Sequence, residues 1–525
     1  MRLRGARFGV VVAASLAAVW AQTPNADDLI WQGSVQKYDG QRKSILDQVD
    51  REARSGTFQP TWESLKHYET PTWYEDAKFG IFIHWGLYAV PAFDSEWYPR
   101  NMYLQGSKAF GHHVATYGPQ SKFGYKDFIP QFKAEKFDAK AWAELFRRAG
   151  AKYVVPVAEH HDGFPMYDTG LSDWSAAKMG PKQDIVGELA TAVRAAGLHF
   201  GASSHRAEHY FFMNGGREFD SDVRDPRYAA FYGPAHAGVT DKNHAEWAGH
   251  PDPAYLNDWL ARTAEIVTKY HPEVLWFDWW INTKEFEPYL QRLASFYYND
   301  AAKNGYAAAI NYKYTAYPEG AAVLDIERGQ LDAPRALLWQ TDTSISVKSW
   351  GYIKGDTFKS PESLIQQLVD VVSKHGCLLL NVGPKPDGTI PDEAQRILLD
   401  MGRWLGTNGE AVYGTRPWKV YGEGPTKVQG GAFHDTDSAS YTAQDIRFTS
   451  KGDTLYAIAM AWPGDGQLAI KSLASGGAGD AVTVGNVRLL GWTADVRWKR
   501  DSGGLHLTLP GNKPGEYAYV FKITR

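Results

Sequence analysis

Between residues 61 and 412, short apolar runs alternate with longer stretches in which apolar positions recur at helical spacing. That rhythm predicts βα units repeated around a parallel sheet. Strands are predicted at residues 79–85, 152–159, 198–204, 274–277, 306–311, 323–326, 337–340 and 377–382, and helices at 139–149, 184–196, 255–270, 285–303, 361–374 and 392–407. Eight such strands imply a (β/α)8-like TIM barrel. The helix at 361–374 carries its own punctuation. Ser360 caps it, Pro361 fills its first position, and Gly376 after Lys374-His375 supplies a left-handed stop.

Beyond residue 412 the pattern changes to short alternating runs at 454–462, 467–471, 486–490, 495–498 and 505–509, broken by Gly, Asp, Ser and Pro and by a Gly-rich turn at 475–480. This predicts a C-terminal antiparallel β-sandwich over 413–525, packed directly on the barrel. Residues 22–60 are polar and helix-prone without strong periodicity and form an N-terminal lead-in. Ahead of them, Arg2, Arg4 and Arg7 precede a mostly apolar run at 8–19 and the sequence Val19-Trp20-Ala21 before Gln22. That is the layout of a signal peptide at 1–21, so a secreted or periplasmic product is expected; an uncleaved anchor is the alternative.

A net charge of −4 with no basic patch gives no reason to expect nucleic acid or an anionic membrane as partner. Cys377 is the only cysteine, which excludes an internal disulfide and a thiolate metal cluster, and its apolar neighbours mark it as a buried small side chain. Aromatic residues make up 14% of the chain, a level that suits sugar-stacking surfaces and a packed aromatic core equally.

The polar residues at the predicted strand ends carry the chemistry. The apolar strand 274–277 ends in Asp278, flanked by Trp276, Trp279 and Trp280, and a carboxylate at the carboxyl end of a barrel strand is a candidate nucleophile; the alternative is an ordinary helix or turn cap. His84, the group Glu159-His160-His161-Asp162 and the group His205-Arg206-Ala207-Glu208-His209 close three other strands. Imidazoles from several strands together with Asp278 could ligate a metal. They could equally hydrogen-bond sugar hydroxyls, because a neutral imidazole offers one donor and one acceptor. Sugar binding is the favoured reading, with Trp85, Trp97, Trp276, Trp279 and Trp280 supplying apolar faces.

Several long stretches occur in a telling order: Phe79-Gly80-Ile81-Phe82-Ile83-His84-Trp85-Gly86, Glu96-Trp97-Tyr98, His160-His161-Asp162-Gly163-Phe164, Leu275-Trp276-Phe277-Asp278, and Leu379-Leu380-Asn381-Val382-Gly383-Pro384 followed by Asp387-Gly388-Thr389-Ile390-Pro391. Over residues 62–418 the chain resembles the α-L-fucosidases of glycoside hydrolase family 29. The resemblance implies a barrel-borne retaining hydrolase that works through a covalent fucosyl-enzyme, needs no cofactor or metal, and takes fucosylated oligosaccharides or glycoconjugates. Asp278 matches the nucleophile, and His84, Trp97, His160 and His161 match residues around the fucose. Glu327, at the end of the strand 323–326, resembles the acid/base and is preferred to Asp325; a surface ion pair with Arg328 is its bland alternative.

Two departures from that family's pattern touch the sugar contacts. His205 stands near the position of a missing tyrosine, and Lys313 stands where an arginine often sits. With Trp85 and Trp280 they complete the expected substrate-binding set. The competing functions are a fucose-binding protein without turnover, which the presence of both carboxylates opposes, and a metal-dependent hydrolase.

Overall fold

The computed structural model describes residues 26–237, 250–436, 440–476 and 483–524. The signal peptide expected at 1–21 and most of the Gly-rich turn at 475–480 lie outside the described residues. Eight parallel strands close into a barrel in sequence order: β1 (Phe79–Ile83), β2 (Tyr153–Glu159), β3 (His199–Ser204), β4 (Val274–Phe277), β5 (Ala309–Lys313), β6 (Val323–Glu327), β7 (Trp339–Ser344) and β8 (Gly376–Val382). Closure is made by β1 on β8, with Phe79 opposite Leu378 and Ile83 opposite Val382. Every residue of β1, β2, β4 and β8 is buried, because helices cover the outside of the barrel and side chains fill its interior.

Helices α1 (Ala26–Val35) and α2 (Asp39–Ser55) precede the barrel, and α3 (Ala139–Arg148), α4 (Ile185–Ala195), α5 (Pro253–Tyr270), α6 (Glu287–Asn304), α7 (Pro361–Ser373) and α8 (Asp392–Asn408) lie among and after its strands. The lead-in is no loose tail: α2 lies against α5 and α6, where Ser295 Oγ donates to the carbonyl of Ala53 at 2.7 Å and Arg42 meets Asp258 at 3.0 Å. At the start of α7 Ser360 Oγ accepts from the amide of Ser363 at 3.1 Å, as its sequence implies. The left-handed residue after that helix is His375 (φ 72°), whereas Gly376 opens β8. Glycine is needed at 376 for space, since a Cβ there would lie 2.6 Å from Val371 and 2.8 Å from Trp339.

Only β4 keeps its predicted range unchanged; β1 stops two residues early at Ile83, and β5 and β7 depart furthest. β5 starts at Ala309 rather than Tyr306, because Tyr306, just beyond α6, is tied back to that helix, its amide donating to the carbonyl of Ala301 at 3.0 Å and its hydroxyl to Asp300 at 2.8 Å. β7 runs on through Thr341-Asp342-Thr343-Ser344, a polar stretch that hydrophobic pattern alone reads as loop.

The C-terminal region holds a five-stranded antiparallel sheet built from β9 (Arg416–Glu423), β10 (Ile446–Lys451), β11 (Thr454–Ala459), β13 (Asn486–Leu489) and β16 (Tyr519–Thr524), in the order β13-β16-β11-β10-β9. A three-stranded sheet, β12 (Gln467–Ile470), β15 (Gly504–Thr508) and β14 (Arg497–Asp501), faces it. Phe448, Ala457 and Phe521 from the first sheet share a core with Leu468, Leu505 and Leu507 from the second, which makes the pair a sandwich. It docks on the barrel through the buried pair Arg447–Asp370 (2.5 Å) and through Trp404, whose Nε1 donates to Ala518 at 2.8 Å. Among the described residues no helix is long and apolar enough to cross a membrane.

Candidate active site

The carboxyl ends of the barrel strands open on a pocket of about 310 Å³, and the predicted His84, Trp97, His160, His161, Asp278, Trp280 and Glu327 all line it. β1 ends one residue before His84, β2 before His160 and β4 before Asp278, while Glu327 is the last residue of β6. β2 has ended at Glu159, so the alternation that would send His160 and His161 to opposite faces no longer holds, and their rings lie 4.2 Å apart. Gly163 makes this turn feasible. Its φ is 73°, and a Cβ on it would fall 2.2 Å from the His209 ring, which hydrogen-bonds the carbonyl of His161 at 2.8 Å.

Asp278 is held by two imidazoles. His205 Nδ1 donates to its Oδ2 at 2.8 Å, and His161 Nε2 lies 3.4 Å from the same oxygen. Burial favours the neutral acid, but the hydrogen bonds from His161 and His205 outweigh it and hold the Asp278 carboxyl well below the usual carboxylate range. Burial in turn lowers His205 to about 4 despite Asp278, so its ring is neutral; with Nδ1 donating, Nε2 accepts from Ser203 Oγ at 2.9 Å. For His161 burial is opposed by Glu208 and Asp278, and the balance raises it to about 9. Glu208, from the turn after β3, is pushed up to about 8 by burial, and its Oε2 is buried in the pocket wall without a hydrogen bond, 3.4 Å from His161 Nδ1. Beneath this group Arg206 and Arg262 neutralise the buried Glu159 and Asp258, with Arg206 Nη2 at 2.7 Å and Arg262 Nε at 2.9 Å from Asp258.

Glu327 sits in a second network. Trp279 Nε1 donates to its carboxyl, and Lys313 Nζ lies 3.4 Å away while also contacting Asp325 at 3.1 Å and Asp342 at 3.0 Å. One ammonium cannot balance three carboxylates, so protons must be retained. Burial raises Glu327, against Lys313 and with help from the charge on Asp278. Burial and the neighbouring Asp325 push Asp342 well above its ordinary range. The ion pair between Glu327 and Arg328 does not form; Arg328 turns away to Asp435 at 3.3 Å and to the carbonyl of Val347 at 2.9 Å.

His84, His160 and His205 bring ring nitrogens within metal-binding reach of one another, as do His161, His205 and Asp278. Only His205 is fully committed, whereas His84 and His160 each keep a nitrogen free. Asn381 Oδ1 accepts from both the amide and Nδ1 of His84, at 3.0 and 2.8 Å, and both nitrogens of His205 are engaged. His84 therefore presents Nε2 as an acceptor, and burial keeps both it and His160 neutral. Neutral rings with one free nitrogen can meet a hydroxyl group or a cation, but both metal-sized trios include His205, whose two nitrogens are spent on Ser203 and Asp278, so hydroxyl binding is the reading the geometry favours.

The expected set divides on placement. Trp85 leaves the pocket: its ring packs on Phe132, Phe137 and Trp142, and its Nε1 donates to the carbonyl of Lys385 at 2.9 Å. His205, Lys313 and Asp325 stand behind the pocket wall, buried and bonded to the residues that line it. Glu96, Glu208, Asp342, Trp350 and Phe433 line the pocket without having been singled out from sequence. Glu208 lies in the polar group that closes β3, and Glu96 directly precedes Trp97 in a stretch shared with the family, so both were within reach of the sequence. Asp342 was hidden by the polar end of β7, and Trp350 and Phe433 come from loops that no periodicity marks.

A sequence model described as alpha-L-fucosidase matches residues 45–410, and one described as alpha-L-fucosidase C-terminal domain matches residues 439–524. An alpha-L-fucosidase of Branchiostoma floridae is 31% identical over 488 residues, covering 89% of this chain and 95% of its own length. The tissue alpha-L-fucosidase of Homo sapiens is 30% identical over 89% of this chain and 92% of its own. Among solved structures, a Thermotoga maritima alpha-fucosidase in complex with fucose superposes with a TM-score of 0.70 at 32% identity, over 89% of this chain and all of that one. The same enzyme bound to a mechanism-based inhibitor gives 0.71 at 31%. A barrel with paired carboxyls among buried histidines, a trailing β-sandwich and matches across both regions lead to one conclusion: the chain belongs to the α-L-fucosidase family, glycoside hydrolase family 29.

Proposed function

We propose that this chain is a retaining exo-α-L-fucosidase that removes terminal α-L-fucosyl residues from oligosaccharides or glycoconjugates, with Asp278 as nucleophile and Glu327 as acid and base. One observation carries the assignment. Two carboxyls at the ends of β4 and β6 share a pocket, yet hydrogen bonds from imidazoles keep Asp278 ionised while burial beside that charge favours the protonated form of Glu327. Carboxyls driven apart in this way are what an acid and a nucleophile require.

Ionised Asp278 attacks the anomeric carbon as the bond to the leaving oxygen breaks, and that oxygen takes its proton from Glu327. A β-fucosyl ester forms on Asp278. Glu327, now ionised, removes a proton from water while the water oxygen attacks the anomeric carbon; the ester bond breaks, Asp278 leaves as a carboxylate, and fucose departs with its original α configuration. The free nitrogens of His84 and His160 and the carboxyls of Glu96 and Glu208 would take sugar hydroxyls, and Trp97, Trp276 and Trp350 would cover the apolar ring face and its methyl group.

Azide trapping tests the two roles separately. Asp278→Gly should abolish hydrolysis of α-L-fucosides and, with azide, give the β-fucosyl azide by direct attack. Glu327→Ala should spare fucosides with an acidic phenol leaving group relative to natural sugars and give the α-azide by interception of the ester. Ordinary hydrolysis by Asp278→Gly overturns the site; equal slowing of both substrate types without α-azide overturns Glu327. The leader at 1–21 further supports export to the periplasm or medium, with a mature N-terminus near Gln22 that N-terminal sequencing would read. Recovery of the full-length chain from the cytosol would refute it.

A further inference from the structure

We infer that Trp279, Tyr314 and Phe433 form the subsite for the sugar ring directly attached to the fucosyl unit, and that the segment leading into the C-terminal sandwich thereby selects the leaving group. This rests on Glu327 acting as the acid: the oxygen it protonates belongs to the leaving group, so the ring bearing that oxygen must lie beside Glu327.

The three aromatics are tied to that residue. Trp279 Nε1 donates to the Glu327 carboxyl, and the amide of Phe433 donates to the Glu327 carbonyl at 2.9 Å. Trp279 lies 4.7 Å from the Tyr314 ring and 5.7 Å from the Phe433 ring, centroid to centroid. Phe433 and Tyr314 are about half exposed, at 50% and 49%, in a chain that buries most of its large apolar side chains. Such a cluster at the mouth of a polar pocket matches the C–H face of a pyranose, which needs flat apolar cover and no charge.

The rim is also built to hold its shape. The amides of His434 and Asp435 donate to the Arg328 carbonyl at 2.8 and 2.9 Å, Gly431 and Gln330 exchange backbone hydrogen bonds, and the Asp435 carboxylate is gripped by Lys359 and Thr343. This clamp fixes Phe433 at φ 62°, and Tyr314 is held at φ 55°, conformations that large side chains rarely adopt unless their surroundings impose them.

The test compares α-L-fucosyl fluoride, which carries no leaving-group ring, with a disaccharide of fucose α-linked to galactose. Phe433→Ala and Phe433→Gly should each lower kcat/KM for the disaccharide at least about tenfold more than for the fluoride, the glycine variant relieving the positive φ so that the loss reports the ring itself. Phe433→Trp should restore the preference. Equal losses on the two substrates, or no loss on either, would overturn the subsite while leaving the fucosidase reading intact. Failure of the unaltered protein to hydrolyse either substrate would instead defeat the fucosidase reading.

Discussion

Replacing Glu208 by glutamine should remove a pH dependence of stability that the pocket imposes on the whole fold. Burial raises the Glu208 carboxyl from its ordinary 4.5 to about 8, so across that interval the folded chain binds a proton that the unfolded chain has released. The sign follows from linkage: the stabilisation is fully present below pH 4.5 and is lost as the pH rises through 8. At about 1.36 kcal/mol per pH unit, the loss between pH 5 and pH 8 is on the order of 3 kcal/mol. The attraction of the nearby His161 cation, 3.4 Å away, opposes the effect of burial and is already contained in that balance. Glutamine keeps the shape and the hydrogen-bonding capacity but cannot ionise. Thermal melts from pH 5 to 8 should therefore show the native Tm falling with pH by several degrees, at roughly 2–4 °C per kcal/mol or less for a chain this large, and a flatter profile for Glu208→Gln. Parallel profiles would refute the reasoning and place the Glu208 proton elsewhere.

The neighbouring networks make predictions of their own. His205→Phe removes the 2.8 Å hydrogen bond to Asp278, so the acid limb of the kcat/KM profile for an aryl α-L-fucoside should move to higher pH, whereas His205→Asn, which keeps an amide donor, should move it less. An unmoved limb would show that His205 acts through packing alone. Lys313→Met takes away the cation that lowers Glu327, so the basic limb should move to higher pH; it also strands Asp325 and Asp342 without their partner, and denaturant titration should show a loss of about 3–5 kcal/mol.

The barrel was legible where strands buried on both faces are apolar along most of their length; Val274-Leu275-Trp276-Phe277 is the plainest case, and its range needed no adjustment. Legibility failed where barrel position outweighs composition. Thr341 to Ser344 extend β7 because their side chains find partners inside the fold, Thr341 Oγ1 donating to the Ile326 carbonyl at 2.8 Å and Ser344 Oγ accepting from Asn381 at 2.9 Å. In the sandwich, β9 is only half-buried along its length, and β10 alternates over no more than Ile446-Arg447-Phe448-Thr449 before the polar Ser450-Lys451, a run too short to stand out. For the pocket, counting strand ends located the residues but not their aim. Trp85 follows His84 directly, yet one residue's rotation turns it into the shell between barrel and helices. Phe433 had no such anchor, because a contact between residues 327 and 433 depends on how two domains dock.

Closure of the barrel by β1 on β8 has a consequence for biosynthesis. Asn381, which fixes the ring of His84 across that seam, follows it by 297 residues in the chain. A ribosome will therefore have released most of the barrel before the first strand acquires its second neighbour, and until then β1 offers an open edge to any other strand nearby. Contacts of such long sequence separation form slowly, because the loop entropy is spent before the seam rewards it. No partly synthesised chain can present a complete pocket, so in this protein the onset of catalysis would mark the end of folding rather than accompany it.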